Sequence, residues 1–207
     1  MTENPKVGRA ASSRRRGVTL IEAVLYIAVA LALVVGGLVF FQQASLASRV
    51  NAAVRSLSAL TAEIRVIARD TGVMTIHAGE MENVLLAQGS LPMTNVDMTR
   101  PAGQRIRHGW SGHITASLQD QGWRALVLLG VFSFPVAACS RLVWIDASGK
   151  GEFSTSVEVV HVSDDGGGHS TFVLPGGTRT AAGNACRSRD SDGDGMVSAV
   201  FFLRVSD

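Results

Sequence analysis

From Val18 to Phe41 the chain carries one charge, Glu22, in an otherwise apolar run. A helix over residues 18–41 would extend ~36 Å at ~1.5 Å per residue, enough to cross a hydrocarbon core of ~30 Å. A carboxylate left unpaired in that core costs at least ~2.5–3.5 kcal/mol, so an acid there marks function and needs a partner. Lys6, Arg9, Arg14, Arg15 and Arg16 precede the run, and the next basic residue is Arg49. That asymmetry predicts a cytoplasmic N-terminus with everything after the span outside the cytoplasm.

An uncleaved signal anchor and a secretory signal peptide both fit an N-terminal apolar run. No small-x-small site closes a short core here, because the run continues into Phe40-Phe41-Gln42-Gln43 and is too long for a signal peptide. The stretch Gly17-Val18-Thr19-Leu20-Ile21-Glu22 instead resembles the class III leader junction of type IV prepilins. The resemblance implies cleavage after Gly17 by an inner-membrane prepilin peptidase, with Val18 as the new, N-methylated terminus. It also implies that Glu22, four residues further on, serves methylation and fibre assembly. A carboxylate buried among apolar helices is neutralised by the terminal ammonium of a neighbouring subunit only when the stagger is correct, so the pair selects register.

The long leader, the absence of phenylalanine at Val18 and the stretch Phe40-Phe41-Gln42-Gln43-Ala44-Ser45 resemble the type IVb branch, its bundle-forming and plasmid thin-pilus members in particular. The resemblance covers residues 16–69 and is silent beyond them. Gly36-Gly37 mark either a weak point in the helix, at ~1 kcal/mol per glycine relative to alanine, or close packing against a neighbouring helix.

Past the span, Leu46, Val50, Ala53, Val54, Leu57, Leu60, Ile64 and Ile67 recur at three- and four-residue steps, while Arg49, Arg55, Glu63, Arg65 and Arg69 fall mostly elsewhere. One helix is therefore expected over residues 18–69, apolar all round in its first half and on one face in its second, broken at Asp70-Thr71-Gly72. The expected organisation is a leader at 1–17, a membrane and assembly helix at 18–41, its amphipathic half at 42–70 and one globular head at 71–207. The leader's five basic residues and Glu3 give it a net +4, so the chain's formal +2 becomes −2 without it. A basic nucleic-acid surface on the head is not indicated.

Within the head a short helix is expected inside 77–91, and strands at 113–118, 123–129, 141–146, 152–161, 170–174 and 197–205, separated by Gly-, Asp- and Pro-rich turns. Short connections favour an antiparallel sheet, giving an α+β fold with a long helix laid across it, the architecture expected of a pilin. Trp123, Trp144, Phe153 and Phe172 are expected to fill the helix–sheet core.

Cys139 and Cys186 are the two cysteines. An even pair in an exported domain predicts a disulfide, and neither has the spacing of a metal ligand. In pilins such a bridge bounds the variable, exposed region, which here would be residues 138–187. Asp190-Ser191-Asp192-Gly193-Asp194-Gly195 has the alternating carboxylates of a calcium loop's first half. Phe201 stands where an EF-hand places its bidentate glutamate, which argues against that motif. A looser calcium site using Asp190, Asp192 and Asp194, and a polar hairpin turn using the same residues, both stay open. The five histidines have no ligand spacing and no nucleophile motif occurs, so no catalytic residue and no other cofactor is assigned. The partners implied by the resemblance are further copies of the chain, the peptidase and the inner-membrane assembly machinery, with export into an extracellular fibre. A minor pilin or secretion pseudopilin shares the glycine junction, the buried acid and the apolar stripe and differs in dose and partners. A membrane-anchored periplasmic binding domain would lack cleavage after Gly17 and would tolerate Glu22→Ala.

Overall fold

A continuous α-helix, α1 (Leu20–Asp70), opens the described part of the protein. The computed structural model describes residues 19–72, 75–91, 93–122, 124–144, 157–164, 170–190 and 193–205. The chain divides inside α1, into one unit that runs through Ala44 and a second that begins at Ser45.

In the second unit α1 buries Val50, Ala53, Leu57, Leu60, Thr61, Ile64, Ile67 and Ala68. Their three- and four-residue steps place them on one face, as the sequence pattern demands. Leu46 and Val54, expected in the same stripe, pack at its margin. Thr61 is tolerated there because its hydroxyl donates to the Leu57 carbonyl at 2.8 Å. The helix stops where Thr71 turns back to the Ile67 carbonyl through both its N–H and its hydroxyl. Gly72 then takes φ +67°, a left-handed conformation that a side chain would disfavour.

The remaining elements are α2 (Ala78–Ala87), a 3₁₀ turn (Met93–Asn95), β1 (Ile106–Arg107), β2 (His113–Asp120), β3 (Ala125–Pro135), α3 (Val136–Leu142), β4 (Val157–Asp164), β5 (Ser170–Val173), α4 (Arg179–Arg187) and β6 (Met196–Arg204). The strands form one antiparallel sheet in the order β1-β2-β3-β6-β4-β5. The fold is α+β. Leu57, Leu60 and Ile64 of α1 share one core with Leu118, Leu129, Phe134, Val160 and Phe201 of the sheet. Each large side chain fully buried there contributes about 1.5–3 kcal/mol.

A bulge in β3 shifts its register against β6 between Val131 and Phe134. Ser133 sits at φ 56° in the bulge and its N–H donates to the Ser198 hydroxyl at 3.3 Å. The bend ends the strand at Pro135, which opens α3 directly.

Two expectations are corrected. A strand was expected at 141–146, but residues 141 and 142 close helix α3, and residues 145 and 146 lie outside the described set. The reason is that Ala138, Cys139 and Leu142 are the buried positions, an i, i+1, i+4 pattern that only a helix presents to one side. Helix α4 falls where no element is expected. Thr178 caps it by accepting the Ala181 N–H at 3.1 Å, and Ala182, Gly183 and Cys186 form its buried face.

Among the expected core aromatics, Phe172 is 63% exposed because β5 is an edge strand, and Trp144 is half-buried with its indole N–H donating to the Gly177 carbonyl at 2.9 Å. Trp123 and Phe153 lie outside the described residues. Among the described residues, Phe134, Phe201 and Trp110 are the buried aromatics of the core.

Candidate functional site

The first unit of α1 starts with a cap. Thr19 precedes the helix, and its hydroxyl accepts the Glu22 N–H at 3.3 Å while its carbonyl accepts the Ala23 N–H at 3.0 Å. This is the N-cap arrangement in which a threonine satisfies a donor that the first helical turn leaves free. Glu22 thus sits in the first turn of α1, where a carboxylate also meets the positive end of the helix dipole. Its Oε1 lies 3.5 Å from the Tyr26 hydroxyl, one helical turn on. Gly17 and Val18 lie outside the described residues.

Among the described residues of this unit the apolar side chains are uncovered. Fifteen large apolar side chains from Leu20 to Phe41 are at least half exposed, and covering them would be worth more than ~20 kcal/mol at ~1.5 kcal/mol each. The helix is long and apolar enough to cross a membrane, and none of its most apolar stretch is buried. An uncovered apolar surface of that size near the N-terminus is the pattern of a membrane anchor or a signal sequence. The helix runs unbroken through Gly36 and Gly37, and a side chain added at either would meet open space.

Cys139 and Cys186 form a disulfide with their Cα atoms 6.0 Å apart, joining α3 to α4, and both are fully buried. On the chain-entropy model a bridge across this separation stabilises by ~4 kcal/mol. In the acidic run, the Asp190 Oδ1 accepts the Gly195 N–H at 2.9 Å and the Asp194 Oδ1 accepts the Met196 N–H at 2.7 Å. Gly193 and Gly195 take φ 74° and 75° there, so two of the three carboxylates serve the turn that leads into β6. Asp192 lies outside the described residues. Among the described residues no group of three or more His, Cys, Asp or Glu side chains is placed to hold a metal ion. Phe201, in the position where a calcium loop would need a glutamate, is fully buried in the core.

One histidine is structurally engaged at both ring nitrogens. His108 Nδ1 accepts the Trp110 N–H at 3.3 Å, and Nε2 lies 2.7 Å from the Phe132 carbonyl. A carbonyl only accepts, so Nε2 carries the proton and the ring is neutral. Burial holds its pKa below the usual histidine range, against the pull of the Phe132 carbonyl, with smaller contributions in the same direction as burial from His113, Arg107 and Arg100.

Tyr26 and Thr19 are the residues of the site that the sequence reading passed over. Their signals were present, as a Thr-x-x-Glu capping spacing and an i, i+4 separation from the acid. No family model, no curated protein and no solved structure matches this chain.

Proposed function

We propose that the protein is a structural subunit of a type IVb-like pilus, processed after Gly17 and polymerised through α1. The observation that carries this reading is the division of α1. One helix is uncovered on all sides for its first half and buries a single face in an α+β head for its second. A simple membrane anchor has no use for continuing as the core helix of the domain it carries. A fibre subunit does, because the helix must transmit packing in the shaft to the head. The lone acid in the first turn supports the reading further, since it gives the stack a reason to choose one stagger.

In this account the precursor spans the inner membrane with its N-terminus cytoplasmic. The peptidase frees Val18, and assembly proteins extract the mature chain into a growing fibre of identical copies. The disulfide secures the part of the head that borders the sheet edge at β5 and α4. We read the acidic run as a polar turn, because the Asp190 and Asp194 carboxylates accept backbone N–H groups there; calorimetric titration of the head with calcium is expected to show no saturable heat, and one-site binding would refute that role. A minor-pilin or secretion-pseudopilin role shares the same features and differs in dose and partners. The membrane-anchored binding-domain reading is the one the decisive variant separates. Glu22→Ala is expected to leave a membrane-inserted chain and no fibres in electron micrographs. Normal fibres from that variant would refute the assembly role of the acid.

A further inference from the structure

Tyr26 is the only tyrosine in the 207-residue chain, and it stands one helical turn from the only charge between Val18 and Phe41. From Thr19 to Phe41 the side chains with a polar atom are Thr19, Glu22 and Tyr26. The Thr19 hydroxyl faces the Glu22 backbone N–H, and the Tyr26 hydroxyl faces the carboxylate at 3.5 Å. The direction follows from helix geometry. Side chains lean toward the N-terminus, so a long residue at i+4 reaches back over the residue at i. Phenol is also the right chemistry for the place. It donates one hydrogen bond to a carboxylate while its ring stays compatible with lipid, and it introduces no second charge to be buried.

We propose that Tyr26 is the resident partner of Glu22, its hydroxyl holding the carboxylate within a single chain in the membrane until another copy's amino end takes its place. A subunit waiting in the bilayer otherwise holds an acid with no donor, at the cost that makes such groups rare. A hydrogen bond from an uncharged phenol to the carboxylate lacks the second charge that an ammonium brings, so the exchange on assembly runs downhill and the tyrosine does not trap the monomer. The intrachain pair is independent of the fibre reading; only the exchange rests on it.

A single tyrosine gives a single ring signal, which makes the test direct. The full chain, labelled with carbon-13 at the tyrosine Cζ, is reconstituted as monomer in vesicles of phosphatidylethanolamine and phosphatidylglycerol and read by solid-state NMR. The expected Cζ resonance lies downfield of a free phenol, as for a hydroxyl donating to a carboxylate, and moves back in Glu22→Ala. A resonance at the free-phenol position, or one that Glu22→Ala leaves in place, overturns the pair. In assembled fibres of the same labelled chain the resonance is expected to return to the free position; a fibre signal still at the monomer position overturns the exchange. Failure to form fibres at all would remove the polymer reading and the exchange with it, while the monomer spectrum still decides the pair.

Discussion

The division of α1 makes a prediction that two identical substitutions on one helix can test. Leu57 is fully buried in the helix–sheet core, whereas Leu31 is 59% exposed in the first unit. Leu57→Ala removes a fully buried isobutyl group and leaves a cavity in the core that α1 shares with the sheet, a change that costs about 3–4 kcal/mol. Leu31→Ala removes nothing the head uses and is expected to change head stability by less than about 0.5 kcal/mol. All three tryptophans, Trp110, Trp123 and Trp144, follow α1 in the sequence, so their fluorescence reports the head alone. With a urea slope of about 1.5–2 kcal/mol/M for a domain of this size, Leu57→Ala lowers the unfolding midpoint by about 2 M in detergent-solubilised full chain. Leu31→Ala leaves the midpoint within about 0.3 M of wild type, and reduces fibre yield instead. Equal midpoint shifts from the two variants would refute the division, as would a Leu57→Ala shift below about 0.5 M.

Opening the disulfide by Cys139→Ala is expected to cost about 4 kcal/mol on the chain-entropy model, and reductant should destabilise wild type but not the variant; thermal melts with and without reductant check both. His108 predicts the sign of a pH effect. Its folded pKa lies below the ordinary value of 6.5, so the unfolded chain takes up the proton first. The stability held at neutral pH is therefore lost as pH falls below that ordinary value, down to the folded pKa. Urea midpoints at neutral and mildly acidic pH should show this decline, and His108→Gln should flatten it; an unchanged slope in that variant would remove His108 as its source.

How much of this was legible in the sequence depended on the size of the side chains that carried the signal. Helix α1 could be read along its whole length because Leu57, Leu60, Ile64 and Ile67 are large and correctly spaced, and because Gly72 marks the stop. Strands β2, β5 and β6 fell close to their expected positions because alternating apolar residues lie between clear turns. Helices α3 and α4 were invisible as helices. Apart from Leu142, their buried faces are made of Ala138, Cys139, Ala182, Gly183 and Cys186, small residues that give no hydrophobic stripe. Phe172 was assigned to the core on residue type alone, and strand order, which places β5 at an edge, is not a local property of sequence. At the candidate site the acid announced itself by being alone. Its neighbour Tyr26 did not, since an aromatic in an apolar run reads as one more greasy residue until the helix turns its hydroxyl toward the carboxylate.

The most direct measurement of the central claim is the intact mass of the protein extracted from the membrane of a host that carries the prepilin peptidase. The account predicts a mass lacking residues 1–17 and carrying one added methyl group on Val18. A chain that keeps its full N-terminal segment, or that is cut beyond Glu22, would contradict it.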